Sequence, residues 1–221
     1  MLDSLLPSPV HLRNLTDATA RYAEQIDLAG PFLTSRGITK EAASAAHLGV
    51  VHDPMPSHER FTGHLAISYT TPAGTVAMKF RCIADHNCKD VGCQRYDQPS
   101  GQKVHLFNAG VLATTKADVV AVCEGELDAI LCTHELGIPA VGTAAGTWLD
   151  HYPRCFADFE EVVIIADHDV KPDGSSPGIK HAKRVQSTIS RSRIVVPPAG
   201  LDLGEWVAQE GREAVFKGIG L

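Results

Sequence analysis

The sequence has no apolar run that approaches the roughly 20 residues needed to span a bilayer. Its first residues, 1–7, lack the basic start and apolar core of a secretory signal. Internal repeats, heptad seams and low-complexity tracts are absent too, and the 44% hydrophobic content is typical of a globular protein. We therefore expect a cytoplasmic protein with no membrane partner.

The chain also lacks the cysteine pattern of a disulfide framework and the charge of a strongly basic nucleic-acid binder. Its six Cys in a mixed α/β pattern indicate a reducing compartment, and its formal net charge is −6. One stretch departs from that average, because between Lys171 and Arg193 six Lys or Arg stand against one acid, Asp173. Such a stretch is typical of a surface that binds a polyanion, or of a solvated helix face.

The C-terminal half alternates between short β-branched runs and helical patterns. This alternation predicts an α/β fold, a Rossmann-like and mainly parallel four-stranded sheet with helices on both faces. The predicted strands are 119–123, 138–141, 161–166 and 193–196, and the predicted helices are 126–136, 147–157 and 179–190.

The N-terminal half has a different pattern, which predicts a smaller α+β subdomain. Helical patterns lie near 16–28 and 40–47, and strand-like pieces at 64–70 and 75–83 flank a predicted hairpin turn. We expect the domain boundaries to be 1–112 and 113–221.

Two acidic clusters each follow a predicted strand. Glu124 and Asp128 come after the run 119–123, and Asp167 and Asp169 come after the run 162–166. Since parallel strands place their sites at their carboxyl ends, we expect these carboxylates to lie together. Carboxylates packed together must be protonated, paired or bridged by a cation. A hard divalent metal ion is the natural cation for such a group of oxygen ligands. A solvated helix start or a turn aspartate would explain either pair by itself.

The segment 122–129 (Val-Cys-Glu-Gly-Glu-Leu-Asp-Ala), followed by Gly-Ile-Pro-Ala-Val-Gly (137–142) and Asp-His-Asp (167–169), resembles a Toprim domain. DnaG-type primases, topoisomerases and certain nucleases share that domain. The resemblance implies that Glu124 and Asp128 act in acid/base catalysis or at the metal. It also implies that Asp167 and Asp169 bind Mg²⁺ or Mn²⁺, with Glu124 and Asp202 as further metal ligands. Asp202 would stand at the end of the fourth predicted strand.

Within Toprim proteins the sequence is most similar to DnaG-type primases and to the primase half of phage primase–helicases. Phe-Leu-Thr-Ser-Arg-Gly-Ile (32–38) resembles the opening of that catalytic core, and Arg95-Tyr96 stands where the family has Lys-Tyr. The resemblance implies that four basic residues contact phosphates of nucleic acid or nucleotide. The phosphate-binding candidates are Arg81, Arg95, Lys180 and Lys183; for each arginine the alternative is a surface salt bridge. Leu201 replaces a lysine that usually precedes the residue matching Asp202.

A separate Cys/His set lies in the polar stretch 82–93. Cys82, His86, Cys88 and Cys93 offer four ligands of the kind that bind Zn²⁺ tetrahedrally, although their spacing matches no zinc fold that we can assign. The alternative is reduced thiols without metal. The chain contains neither a zinc ribbon like that of primases nor a Walker-type loop.

The resemblance implies a nucleotidyltransferase that makes short RNA primers on single-stranded DNA from ribonucleoside triphosphates, with Mg²⁺ or Mn²⁺. A replicative helicase or a separate zinc-binding, template-recognition protein would be a partner. The domain-poor layout suits a bacteriophage protein that acts in the host cytoplasm during DNA replication. Two alternatives stay open: a Toprim nuclease, since the same metal site can activate water, and a non-catalytic, nucleic-acid-binding replisome adaptor.

Overall fold

The computed structural model describes residues 8–198 and 200–221, apart from the side chain of residue 145. The chain forms two compact units. Of the described residues, one unit contains 8–35 together with Thr39–His105, and the other contains Arg36–Ile38 and Leu106–Leu221.

The chain passes from the first unit to the second between His105 and Leu106. Leu106 and Phe107 are buried, and Phe107 exchanges two backbone hydrogen bonds with Gly142, one of 2.9 Å and one of 3.2 Å. These contacts explain why the second unit starts before the expected position. The division of function into 1–112 and 113–221 stays a prediction.

The first unit is built on a four-stranded antiparallel sheet in the order β1-β2-β3-β4. Thr71 and Gly74 close the β2–β3 hairpin, as the turn residues between them predict. The strands are β1 (Leu48–Val50), β2 (Leu65–Thr71), β3 (Gly74–Arg81) and β4 (Tyr96–Asp97). The helices are α1 (Pro9–Ala23), α2 (Gly30–Ser35), α3 (Lys40–Ala45) and α4 (Cys88–Val91), with 3-10 turns at Ile26–Ala29 and Glu59–Phe61.

Helix α1 and the sheet enclose the core of this unit. Ser8 caps α1 and Pro9 follows at its first position, an order that favours a helix start. Within the core, the rings of Phe61 and Phe80 stack with centroids 3.8 Å apart. The buried apolar residues are Leu15, Ala18, Tyr22, Val51, Phe61, Ala66, Met78 and Phe80.

The second unit is built on a four-stranded, fully parallel sheet in the order β6-β5-β7-β8, as the alternation of strands and helices predicts. The strands are β5 (Val119–Cys123), β6 (Ala140–Gly142), β7 (Glu161–Ile165) and β8 (Ser192–Val195). The helices are α5 (Val111–Thr114), α6 (Glu126–Ile130), α7 (Pro177–Gln186), α8 (Leu203–Glu210) and α9 (Arg212–Ile219). A π-helical turn, Leu131–Glu135, extends α6, and 3-10 turns lie at Ala144–Gly146 and Tyr152–Phe156.

Both faces of the central strands are covered. Val120, Val122 and Ile164 pack with Trp148 and other aromatic residues on one face of the sheet. The alternate residues, Ala121, Cys123, Val163 and Ile165, are equally buried. Burial on both faces explains why these strands are continuous apolar runs.

The expected helix over 147–157 is wrong, because only the short 3-10 turn Tyr152–Phe156 forms there. Pro153 has no N–H to donate to Leu149, and its ring would clash with that carbonyl in an α-helix. Tyr152 instead closes a tight turn onto Leu149 O at 3.0 Å. This turn lets Trp148, Tyr152 and Phe156 pack into one cluster. Elsewhere, no helix in the described part of the chain combines the length and hydropathy of a membrane span.

Candidate functional site

The register of the parallel sheet aligns the carboxyl ends of its strands. Cys123, the last residue of β5, pairs with Gly142 of β6 and with Ile165 of β7. Glu124, Thr143 and Asp167 therefore leave the sheet at the same edge, where open α/β sheets place their ligands.

Glu124 lies against the start of α7, and one of its oxygens is unpartnered. Its Oε2 atom is buried and has no hydrogen-bond partner among the described residues. A Cβ atom built on Gly178 would lie 2.7 Å from that oxygen and 2.3 Å from the carbonyl oxygen of Asp167. The missing side chain of Gly178 therefore allows the helix to approach the carboxylates closely.

Buried carboxyl groups close to one another raise each other's pKa. Burial raises the pKa of Asp128 to about 8, and the charges of Asp167 and Asp202 act in the same direction. Burial also raises the pKa of Asp167 to about 7, helped by Glu124 and then Asp202. The pKa of Glu124 is raised by burial and then by Asp169 and Asp128. The edge is thus a concentration of negative charge that is costly when all groups are ionised.

Asp169 is more exposed than the other acids of this edge. Its side chain is 50% exposed and forms an ion pair of 2.9 Å with Lys171. His168, between the two aspartates, is held by a 2.8 Å contact between its Nδ1 atom and Pro197 O. Asp167 and Asp169 therefore lie at the edge, while His168 contacts the segment that follows β8.

The sequence led us to expect Asp202 at the end of a strand, but the residue lies elsewhere. It is the N-cap of α8, and its side chain accepts a hydrogen bond of 2.7 Å from Glu205 N. Its other oxygen pairs with Arg36 at 3.2 Å. Its charge still raises the pKa of Asp128 and Asp167. Its role as a metal ligand stays a prediction.

Three residues at this edge were not among the predicted site residues. Arg36 pairs with Asp202, and its charge offsets part of the rise in the pKa of Asp128. Thr143 is fully buried; its hydroxyl donates to Glu124 O (3.1 Å) and lies 3.2 Å from His181 Nε2. The signal for Arg36 was its place in the Arg-Gly-Ile segment. Nothing in the sequence pattern indicated that the Thr143 hydroxyl would bridge Glu124 and His181.

The predicted phosphate-binding residues fall in both units. Lys180 and Lys183 are exposed on α7 in the second unit. Arg95 is exposed in the first unit, whereas Arg81 is only 5% exposed. The Arg81 guanidinium hydrogen-bonds to the hydroxyl of Tyr96 and lies 5.0 Å from the Phe32 ring centroid. Arg81 is thus largely buried, and its contact with phosphate stays a prediction.

The four Cys/His candidates converge in the connection between β3 and β4. One ligand atom from each of Cys82, His86, Cys88 and Cys93 lies within 4.8 Å of the others. In residues 8–198 and 200–221 this is the one set of three or more His, Cys, Asp or Glu that gathers in this way. The pKa of Cys93 is raised to about 12, first by a hydrogen bond with Cys88, then by burial and by a hydrogen bond with Cys82.

Comparison with known proteins gives one sequence relative and a set of similar folds. The chain is 33% identical over 166 residues to the Gene 57 protein of Mycobacterium phage D29, covering 72% of this chain and 99% of that protein. The RNA polymerase domain of the Mycobacterium tuberculosis primase DnaG superposes with a TM-score of 0.75 at 18% identity, over 97% of this chain and 84% of that one. The DnaG primase catalytic domain bound to single-stranded DNA gives a TM-score of 0.72 at 18% identity, over 95% and 80% of the two chains. No family model matches the sequence. The fold is that of the DnaG catalytic core.

Proposed function

Because the chain belongs to the same family as the Gene 57 protein of Mycobacterium phage D29 and has the fold of the DnaG catalytic core, we propose that it is a phage DNA primase. It synthesises short RNA primers on single-stranded DNA from ribonucleoside triphosphates, in the cytoplasm of the infected host. The parallel sheet and its acidic edge form a domain of the Toprim type. The observation that carries the proposal is the group of repelling carboxylates at the carboxyl edge of this sheet, with a buried and unpartnered Glu124 Oε2.

The residues present fit a divalent metal. Carboxylate oxygens are the ligands that Mg²⁺ and Mn²⁺ prefer. Burial and then charge repulsion raise the pKa of Asp128 and Asp167, and a bound cation would offset that repulsion. Glu124, Asp167, Asp169 and Asp202 would hold Mg²⁺ or Mn²⁺, which supplies charge neutralisation to the triphosphate and the attacking hydroxyl.

Glu124 is the group that we assign to proton transfer from the 3′-hydroxyl of the primer. Asp128 is the other candidate, but its pKa of about 8 means that it still carries a proton at neutral pH in the protein without metal. The Glu124 Oε2 atom has no hydrogen bond to give up before it accepts a proton. Thr143 holds the backbone of Glu124 in place through its carbonyl oxygen.

The exposed basic residues would bind the polyanionic substrates. Lys180 and Lys183 lie three residues apart on α7, one turn of helix, so they present two positive charges on one side. Since α7 begins beside Glu124, these charges suit the phosphates of a nucleotide or primer. Arg95 and Arg81 would contact template or nucleotide phosphates from the first unit.

Template-dependent incorporation of ribonucleotides on single-stranded DNA tests the proposal. With Mg²⁺ or Mn²⁺, the wild-type protein is expected to make short RNA products. Glu124→Gln keeps the size of the side chain but removes the base, so the rate should fall about 100-fold or more. Glu160→Gln is the matched control, because Glu160 is an exposed glutamate at the opposite end of the strands and should leave the rate unchanged.

The same assay separates the alternatives. Metal-dependent cleavage of labelled DNA without nucleotides, lost in Glu124→Gln, would favour a nuclease. DNA binding without any product, even after addition of a replicative helicase and a zinc-binding template-recognition protein, would favour a replisome adaptor. Either result would contradict the primase proposal.

A further inference from the structure

The Cys/His cluster lies outside the carboxylate edge, and the proposed chemistry does not use it. The distance between Cys82 Sγ and His86 Nε2 is 3.5 Å, and that between His86 Nε2 and Cys93 Sγ is 3.1 Å. In a tetrahedral zinc site, with bonds of about 2.3 Å to sulfur and about 2.0 Å to nitrogen, neighbouring ligand atoms lie about 3.5–3.8 Å apart. These two sulfur–nitrogen distances are near the value in a zinc coordination shell, and all four ligand atoms lie within 4.8 Å of one another.

The backbone of the connection brings the ligands together. Helix α4 starts at Cys88 with Asn87 as its N-cap, and it ends at Gly92 in the left-handed region, with φ 71°. A non-glycine residue would be strained there. The reversal at Gly92 allows Cys93 N to donate to Cys88 O at 3.0 Å, so the two thiols end up side by side.

The connection has no apolar core of its own. None of the residues 82–100 is buried, and Val91 is 58% exposed. Four clustered metal ligands replace a hydrophobic core in many small structural sites, where metal binding supplies the folding free energy. A bound metal would explain how a polar segment of this length holds a defined shape.

We propose that Cys82, His86, Cys88 and Cys93 bind one structural zinc ion. Three thiolates and one imidazole form a donor set that suits zinc and does not suit Mg²⁺. Since all four positions are filled by protein side chains, the site has no open position for catalysis.

The zinc closes the connection between β3 and β4. Where β3 pairs with β4, Arg81 lies opposite Tyr96. Just beyond this pair, Cys82 N donates a hydrogen bond of 3.0 Å to Arg95 O. Cys82 and Cys93 stand at the two ends of the connection, so an ion between them fixes the last paired residues of both strands.

Elemental analysis of protein purified without added chelator tests the site. We expect one zinc per chain in the wild type, and a loss of zinc in Cys88→Ser and in His86→Ala. His86→Cys should retain zinc, because it keeps a ligand at that position. Cys155→Ser is the matched control, since Cys155 is an exposed cysteine of the second unit and its removal should leave the zinc content unchanged.

Two results would overturn the proposal. One is folded protein that carries no zinc, or carries iron instead, after reconstitution under reducing conditions. The other is a disulfide in protein purified anaerobically. A thiol titration in denaturant should find all six cysteines reactive. A count of four reactive thiols would mean that two cysteines are joined.

Limited proteolysis gives a second readout. Lys89 and Arg95 are exposed trypsin sites within and beside the connection. Removal of zinc should make cleavage after Lys89 faster, and adding zinc back should slow it again; unchanged cleavage would contradict the structural role. Neither measurement uses DNA or nucleotides, so a failed zinc site and a failed primase proposal are distinguishable.

Discussion

Gly178 shows how a single missing side chain shapes the acidic edge. Its ideal Cβ position lies 2.3 Å from Asp167 O and 2.9 Å from Asp167 Cβ. Backbone atoms at such a distance cannot move aside without shifting β7 or α7. The glycine therefore keeps the first turn of α7, which carries the basic residues, close to Glu124 and Asp167.

Gly178→Ala should lower the free energy of unfolding by about 1–3 kcal/mol, because the added methyl group is forced into filled space. It should also weaken magnesium binding by moving Asp167 away from Glu124. Denaturant unfolding and calorimetric titration with Mg²⁺ measure the two effects.

Gly110→Ala is the control for this substitution. Gly110 has a helical φ of −58°, and nothing lies within 4 Å of its ideal Cβ position. Its free energy of unfolding should change by about 0.5 kcal/mol or less. Equal losses in the two variants would show that Gly178 is not held by close contact.

The roles of single residues depend on neighbours that are distant in sequence. The enclosure of Arg81 by Phe32 and Tyr96 did not follow from the sequence. The same holds for Arg36, whose partner Asp202 is 166 residues away. Spacing rules describe local neighbours, so such pairs appear only when the chain is folded.

At the scale of an element, α8 is the clearest case of a misplaced prediction. Asp202 was expected at the end of β8, yet that strand ends at Val195 and Asp202 starts the next helix. The sequence carried the signal, because Asp202 and Glu205 have the spacing of a capping box. Both hydrogen bonds of the box form, at 2.7 and 3.0 Å.

Asp202 thus has a structural role that can be separated from its proposed role at the metal. Asp202→Ala should lower the free energy of unfolding by about 1 kcal/mol, since the helix loses its cap. Asp202→Asn should recover much of this loss, because asparagine caps helices as well as aspartate does. Both variants should bind Mg²⁺ more weakly than the wild type, as calorimetry above pH 8 would show. Wild-type magnesium affinity in Asp202→Asn would mean that Asp202 is a cap and not a ligand.

At the scale of the whole molecule, the parallel sheet was predictable and the packing around it was not. The central strands of the second unit are short, mainly apolar runs, so their positions and their parallel pairing follow from the alternation with helices. The earlier start of this unit depends instead on the pairing of Phe107 with Gly142, far along the chain. The inclusion of Arg36–Ile38 in the same unit is likewise invisible in any local pattern.

The acidic edge gives the whole molecule a stability that depends on pH. In the folded protein without metal, the pKa of Asp128 is about 8 and that of Asp167 about 7, both raised from 3.8. The folded state therefore binds protons more tightly than the unfolded state, and the free energy of unfolding falls as the pH rises from about 4 to about 8. Asp128→Asn cannot ionise, so this fall should be smaller in the variant.

Magnesium should reverse that pH dependence, because it binds the ionised carboxylates and replaces the protons. A ligand that binds only the folded state at about 100 times its dissociation constant adds about 2.7 kcal/mol to the free energy of unfolding. We expect Mg²⁺ to raise the melting temperature more at pH 8 than at pH 6, where Asp128 and Asp167 are largely protonated. Ca²⁺ tests whether the site prefers Mg²⁺ to another divalent cation. A monovalent salt at equal ionic strength controls for the screening of charge. An equal shift at both pH values, or the same shift with the monovalent salt, would show that Mg²⁺ acts elsewhere than at these carboxylates.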